Sequence, residues 1–392
     1  MQCRAFGIAL AGICFLLGIQ HALAAEQPIR VGVTASLTGD FAELGRDQLT
    51  GIQMWADDLN ARGALLGRKV EIVHYDDASD AEKSAALYER LISQDGVDLL
   101  IGPYASDVTL AASEVAERHD LPMVSGSAAA GEIWNRGFQN IFQVDAQASR
   151  YMDLLIESAS GAGLKSIALA YAGTDFPREV ARGVREQAAA HAMTLVFDEE
   201  YPEDSTEFAG LIRRMKATSP DLVIGGSYLH DSIGIVKEAK QQQFSPRAFA
   251  FTVGPALPEF GDSLGADADG IMGVVSWMRS GSVPMAYDFS YRYKEITGRN
   301  AGVHAAHGYA AGQVLESAVR LAGSLDKDAV RQQLRAMKIA SLLGHYRVDE
   351  EGRQLAKETF VMQWQNGFRL LVLPEKLRES EIVYPFKPWS ER

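Results

Sequence analysis

Two short segments carry the polar atoms best suited to holding a small anion. Tyr104-Ala105-Ser106-Asp107 follows an apolar run at residues 97–101 and opens a helical pattern with Val108, Ala111, Ala112, Val115 and Ala116 on one side. Ser125-Gly126-Ser127-Ala128-Ala129 follows a second apolar run at residues 121–124. Hydroxyls at Ser106 and Ser127, with the free backbone N–H groups of helix starts, suit a carboxylate. Either serine alone is explained as a helix N-cap. Two such turns, one crossover apart, favour binding.

The other reactive side chains make weaker constellations. His304 and His307 stand three apart on a predicted helix, which is a spacing two metal-ligating imidazoles can use. No third ligand sits beside them, so no metal is expected, and His304 is read as facing a pocket. Asp76, Asp77 and Asp80 resemble calcium ligands or catalytic acids, but a solvated cap at a helix N-terminus explains them more simply. Asp198-Glu199-Glu200 reads as a surface charge run. The chain has no G-x-x-x-x-G-K-[ST] and no G-x-G-x-x-G. No nucleophile, base and orienting group cluster along it. An enzyme is disfavoured and no cofactor is expected.

These residues need a scaffold, and the apolar pattern supplies one. Strands are predicted at residues 29–36, 67–75, 97–101 and 121–124, with helices at 44–60 and 81–95 and from Ser106 onward. Residues 138–144 read as a strand crossing between domains. Strands at 166–171, 194–200, 221–226 and 248–252 then alternate with helices at 176–191, 208–218 and 232–242. Alternation with short connections predicts right-handed, doubly wound parallel sheets whose carboxyl edges hold the ligand. Residues 270–277 read as a connecting strand. Helices are expected at 285–297, 305–323 and 328–336, and a terminal β region at 344–348, 359–364 and 368–373. No linker is rich in Pro or Gly, so the two α/β lobes should be joined by ordered crossings that form a hinge.

Bulk composition narrows the class. The 392 residues are 47% hydrophobic and 23% charged, with a net charge of −13. That is a globular chain, and nucleic acid or an anionic membrane surface is a poor partner for it. Arg4, the apolar stretch at residues 5–19 and Ala22-Leu23-Ala24 read as a signal peptide over residues 1–24, cleaved after Ala24, which places the protein in the periplasm. Both cysteines, Cys3 and Cys14, fall in that leader, so no disulfide is expected in the mature chain.

Several stretches together resemble the periplasmic leucine/isoleucine/valine-binding proteins of ABC importers. They are IRVGVTASLTGDFAELGRDQLTGIQMWADDLNARGALLGRKVEIVHYDDASD, LIGPYAS, PMVSGSAAAGE, GFQNIFQV, DLVIGGSY and YRVDEEG. The resemblance covers nearly all of the mature length. It implies a type I fold: two Rossmann-like lobes joined by a three-stranded hinge, with the ligand between them. The lobes would be residues 27–145 plus 277–358, and 146–276 plus 359–392. By position, Ser106 matches the serine that binds the ligand carboxylate, and Ser127 a residue whose backbone does the same. Ala129 falls where a threonine hydroxyl usually helps. Phe176 and Tyr228 match aromatics that close over the ligand, while Tyr104 and His304 fall on its side-chain pocket.

Three departures matter. The acid that pairs with a ligand α-ammonium is replaced by Thr252, or by Val253 if the loop shifts. Leu44 replaces a tyrosine, and Ser79 and Ala105 replace a cysteine pair. An ammonium left unpaired in a closed cleft is costly. The expected ligand is therefore a small carboxylate without an α-amino group, an aromatic or hydrophobic acid, passed by a monomeric receptor to an ABC permease in the inner membrane. Two rivals stand beside this reading. One is a receptor for branched-chain or other hydrophobic amino acids, with Asp145 or Asp175 pairing the ammonium; the other is an exported hydrolase or sensor domain.

Overall fold

The computed structural model describes residues 27–280 and 283–392. The expected leader, its cleavage point and both cysteines lie outside the described residues. The chain begins β1 (Ile29–Ala35), α1 (Ala42–Ala61), β2 (Val70–Asp76), α2 (Ala81–Ser93), β3 (Leu99–Ile101), α3 (Ser106–Arg118), β4 (Met123–Ser125), β5 (Ile141–Gln143). Its strands form one parallel sheet in the order β2-β1-β3-β4-β5. Every residue of β1 except Arg30 is buried, as a parallel strand covered by helices on both faces requires. Ile29, Val31 and Val33 pack with Ile52, Trp55 and Leu59 of α1. Leu100 and Met123 pack with Tyr88 and Leu91 of α2 and Val115 of α3.

A second sheet follows. It is built from α4 (Asp153–Gly161), β6 (Ser166–Ala172), α5 (Asp175–Ala190), β7 (Thr194–Tyr201), α6 (Ala209–Ala217), β8 (Leu222–Gly226), α7 (Leu229–Gln241), β9 (Ala248–Phe251), α8 (Pro258–Leu264) and β10 (Ile271–Val275). The chain then returns to the first lobe with α9 (Ala286–Thr297), α10 (Val303–Ala322), α11 (Lys327–Ala336) and the hairpin β11 (Ile339–Ser341) and β12 (Gly344–Tyr346). It finishes on the second sheet with β13 (Phe360–Gln365) and β14 (Phe368–Leu373). The second sheet runs β14-β13-β10-β9-β8-β6-β7, parallel from β7 to β10 and antiparallel at β13 and β14.

Four expectations change. Residues 138–144 do not form a separate crossing strand, because β5 is the fifth strand of the first sheet, parallel to β4. Nor is β10 a connector; it pairs with β9 on one side and β13 on the other. The terminal β region divides, with β12 in a hairpin against β11 while β13 and β14 extend the second sheet. Of the three aspartates, Asp80 alone caps α2, accepting from the Lys83 amide at 2.7 Å. Asp77 is fully buried and accepts from the hydroxyls of Thr34 and Ser36 at 2.9 and 2.7 Å.

The crossings between lobes are short and ordered. Val144 packs in the first core and Ala146 in the second, so Asp145 stands at one crossing. Ser276 stands at another, between Val275 of the second lobe and Trp277 of the first. A third runs from Val348 to β13 past Lys357. Gln354 donates to the Val144 carbonyl at 3.1 Å and Gln147 donates to the Gln354 carbonyl at 2.8 Å, tying the first crossing to the third.

Candidate ligand-binding cleft

A cavity lies where the carboxyl edges of the two sheets face each other, the place where open α/β sheets collect ligand contacts. From the first lobe it is lined by Tyr104, Ser106, Ser127 and His304, and from the second by Phe176, Tyr228 and Thr252. Ala129 stands one step back, its amide donating to Ser106 rather than lining the space.

Ser106 is the first residue of α3, and the N-cap is Ala105, which has no side-chain cap. The serine is therefore not an N-cap. Its Oγ accepts from the amides of Ala129 and Ala130, both at 3.2 Å. With both lone pairs occupied, its O–H is left to donate, and it has no acceptor among the described residues. The backbone N–H groups of Ser106 and Ser127 likewise make no hydrogen bond among the described residues. One hydroxyl and two amides thus converge on the first lobe's side of the cavity, beside a helix N-terminus, which is an arrangement suited to an anion.

The Ser127 hydroxyl has a different job from the one expected. Gln48 of α1 donates from Nε2 to the Gly102 carbonyl at 3.0 Å, which turns its Oε1 toward Ser127 Oγ at 2.5 Å. Ser127 therefore donates to Gln48, and His307 Nδ1, 3.1 Å away, must donate to Ser127. The bare His307 Nε2 then accepts from Ser276 Oγ at 2.7 Å. Beyond it lies Asp145, fully buried at its crossing, which accepts from the Ala146 amide at 2.7 Å and from the Tyr151 hydroxyl. Burial raises the Asp145 carboxyl above its ordinary range, opposed by hydrogen bonds from the Tyr151 hydroxyl and the Ala146 amide. Burial holds His307 down at about 3, with Lys357 adding to the effect, and brings Lys357 itself to about 8 against the pull of Asp145. The cavity floor is thus a closed polar network that ties α1, α10 and the crossings together.

Thr252 is similarly occupied. It donates to the Ser227 carbonyl at 2.5 Å and accepts from the Ser227 amide at 2.9 Å. It braces the turn after β8, and its one O–H is not free to donate to a ligand.

The walls are aromatic. Phe176 packs edge-on to Tyr151 at 5.2 Å between centroids and lies 6.5 Å from Tyr228, whose hydroxyl is 3.2 Å from Thr174 Oγ1. Phe41 bridges the lobes, with its centroid 5.7 Å from Tyr104 and 5.4 Å from Tyr228. Around it Leu44, Ala105 and Val108 of the first lobe meet Leu257, Leu229 and Val253 of the second. The lobes are closed on an apolar seal, and Leu44 belongs to that seal.

His304 and His307 contrast sharply, although they share a helix and are both buried. His307 is bonded at both ring nitrogens, whereas neither nitrogen of His304 has a partner among the described residues. The His304 ring stands edge-on to Tyr104 at 4.8 Å and lies 5.5 Å from His307. Burial lowers it to about 3, aided by His307 and opposed by Asp145, so it is neutral near pH 7. Gln48, Phe41, Tyr151 and Ser276 escaped sequence reading; only the closed three-dimensional arrangement brings them to the site.

A model of the periplasmic binding protein family matches residues 28–369. The chain belongs to that family. Among curated relatives, Leu/Ile/Val-binding protein homolog 7 of Brucella melitensis is 26% identical over 96% of this chain and 98% of its own. The fold is shared with the substrate-binding protein LivJ of Streptococcus pneumoniae in complex with isoleucine, at TM-score 0.79, 22% identity and coverage of 92% of this chain and 100% of that one. A solute-binding protein from R. palustris in complex with benzoate superposes at TM-score 0.78, with 19% identity, 92% of this chain and 98% of the other. The chain is accordingly a periplasmic binding protein, and that family consists of solute-binding proteins rather than enzymes. The family is extracytoplasmic and binds small ligands.

Proposed function

We propose that the cleft closes on a small carboxylate that lacks an α-amino group, an aromatic or otherwise hydrophobic acid. One observation carries this reading. Asp145 is the one carboxylate lining the cavity among the described residues, and both of its oxygens already accept hydrogen bonds. Asp175 does not line the cavity and sits 4.0 Å from Arg178. A ligand ammonium would have to draw on Asp145, whose oxygens each already accept a hydrogen bond and whose burial disfavours the ionised form, and an ammonium buried without a full counter-charge costs several kcal/mol. A carboxylate would instead meet the Ser106 hydroxyl and the free amides of Ser106 and Ser127. Tyr104, Phe176 and Tyr228 would cover an apolar body. Micromolar binding requires about 8 kcal/mol, which two or three charge-assisted hydrogen bonds and one buried ring can supply.

The benzoate complex of the R. palustris protein supports an aromatic acid, and the isoleucine complex of LivJ supports the amino-acid rival. In our reading the lobes are residues 27–145 plus 277–358 and 146–276 plus 359–392. The protein is exported with cleavage after Ala24, works as a monomer in the periplasm, and presents its closed form to an inner-membrane permease. Calorimetric titration of the mature protein with benzoate, isoleucine and leucine tests the ligand class. Benzoate should bind and the amino acids should not; binding of the amino acids alone would reverse the assignment.

A further inference from the structure

We propose that His304 determines specificity within the cleft by hydrogen-bonding a ring hydroxyl on an aromatic carboxylate ligand. The inference rests on the carboxylate reading above and adds a second recognition element to it. The imidazole is 5% exposed and lines the cavity, and both of its nitrogens are buried without a partner among the described residues. Three residues along the same helix face, His307 shows how this fold satisfies an imidazole that serves a structural role, with Ser127 at one nitrogen and Ser276 at the other. His304 is given no such neighbours. What faces it is the Tyr104 ring edge-on, His307, and Asp145 at longer range.

A buried polar atom left unpaired destabilises the closed state, and a ligand that pairs it recovers that loss. The kind of group follows from the imidazole's charge. Desolvation keeps the ring neutral near pH 7, so it offers one N–H donor and one bare nitrogen acceptor. A hydroxyl can answer either. A second carboxylate or an ammonium on the ligand would need a counter-charge, and the lining carboxylate, Asp145, is already engaged. An aromatic body suits the surrounding Tyr104, Phe176 and Tyr228 rings. The ligand class is therefore a hydroxylated aromatic acid, with its carboxylate at Ser106 and its hydroxyl at His304.

The test uses four probes: benzoate, 3-hydroxybenzoate, 4-hydroxybenzoate and the size-matched 4-methylbenzoate. At least one hydroxybenzoate should bind the wild-type protein tenfold or more tighter than benzoate and 4-methylbenzoate, a gap worth about 1.4 kcal/mol. H304F, which removes both ring nitrogens, should close that gap. H304Q, which keeps a donor and an acceptor, should retain part of it. Benzoates binding with no hydroxyl preference would overturn this inference and leave the proposed function standing. An equal loss for all four probes in H304F would place His304 at the carboxylate instead, and would also overturn it. Failure of every benzoate beside tight binding of leucine or isoleucine would sink the carboxylate reading itself. The wild-type comparison needs no variant, so a misfolded H304F does not blunt the test.

Discussion

At the scale of single residues, the two serines that look interchangeable in the sequence divide their labour. Ser106 keeps an O–H free for the cavity, while the Ser127 Oγ is held between Gln48 and His307. The consequence is separable in the binding measurement, since either replacement strips buried groups of a partner, the Ala129 and Ala130 amides in the case of Ser106. Ser106→Ala removes a donor to an anion and should weaken binding of every carboxylate by about 10- to 100-fold, the value of a hydrogen bond to a charged group. Ser127→Ala leaves two buried groups, Gln48 Oε1 and His307 Nδ1, without partners, and should cost about 1–3 kcal/mol of stability. The ligand contact proposed for it is through the backbone N–H and should survive. Titration calorimetry and denaturant melts on both variants check this. If Ser127→Ala proved the binding defect while Ser106→Ala bound carboxylates as wild type, the roles would be reversed.

At the scale of elements, the site depends on how closely α1 and α10 cross. A Cβ at Gly308 would lie 2.0 Å from the Gln48 carbonyl oxygen, and one at Gly51 would lie 1.9 Å from the Ala305 carbonyl oxygen. The approach sets Gln48 against Ser127 and aims His304 and His307 at the cleft. Gly308→Ala must push the helices apart and should destabilise the protein by about 1–3 kcal/mol, with ligand affinity falling alongside. Gly161→Ala, where a Cβ meets nothing within 4 Å, should be neutral or slightly stabilising and serves as the control in the same melts. The alternation of strands and helices was legible in the sequence because apolar runs and helical stripes differ in period. The turns bearing Ser106, Ser127 and Tyr228 were legible because carboxyl edges of parallel strands collect ligand contacts. The pairing of β10 with β13 was not, since residues ninety positions apart leave no local mark of it. Nor was the consumption of the Ser127 and Thr252 hydroxyls, because a sequence names polar atoms without saying which partner reaches them first. Phe41 and Tyr151 were hidden for a further reason: each reads locally as ordinary core, and becomes a cleft residue only when the lobes meet.

At the scale of the whole molecule, function resides in the equilibrium between closed and open lobes, and Phe41 is where that equilibrium is most open to measurement. Its ring is 5% exposed, does not line the cavity, and touches Tyr104 on its own lobe and Tyr228 on the other. Part of its burial exists within the first lobe, so Phe41→Ala removes from the closed state a fraction of the roughly 1.5–3 kcal/mol that burying such a ring contributes. Taking about 1–2 kcal/mol as that fraction, the closed population falls by about 5- to 30-fold relative to the open one. A ligand that binds only the closed form then loses apparent affinity in proportion to the fall in the closed fraction, by at most that factor. The loss must be uniform across ligands, because Phe41 acts on the lobes and not on the bound molecule. That uniformity separates it from His304, whose replacement should act on hydroxylated acids alone. Solution scattering adds an independent readout: without ligand, Phe41→Ala should have the larger radius of gyration, and saturating benzoate should return it to the wild-type value. A variant that binds as wild type and scatters as wild type would mean that the hinge network through Asp145, Ser276 and Lys357, rather than the seal at the mouth, holds the lobes together.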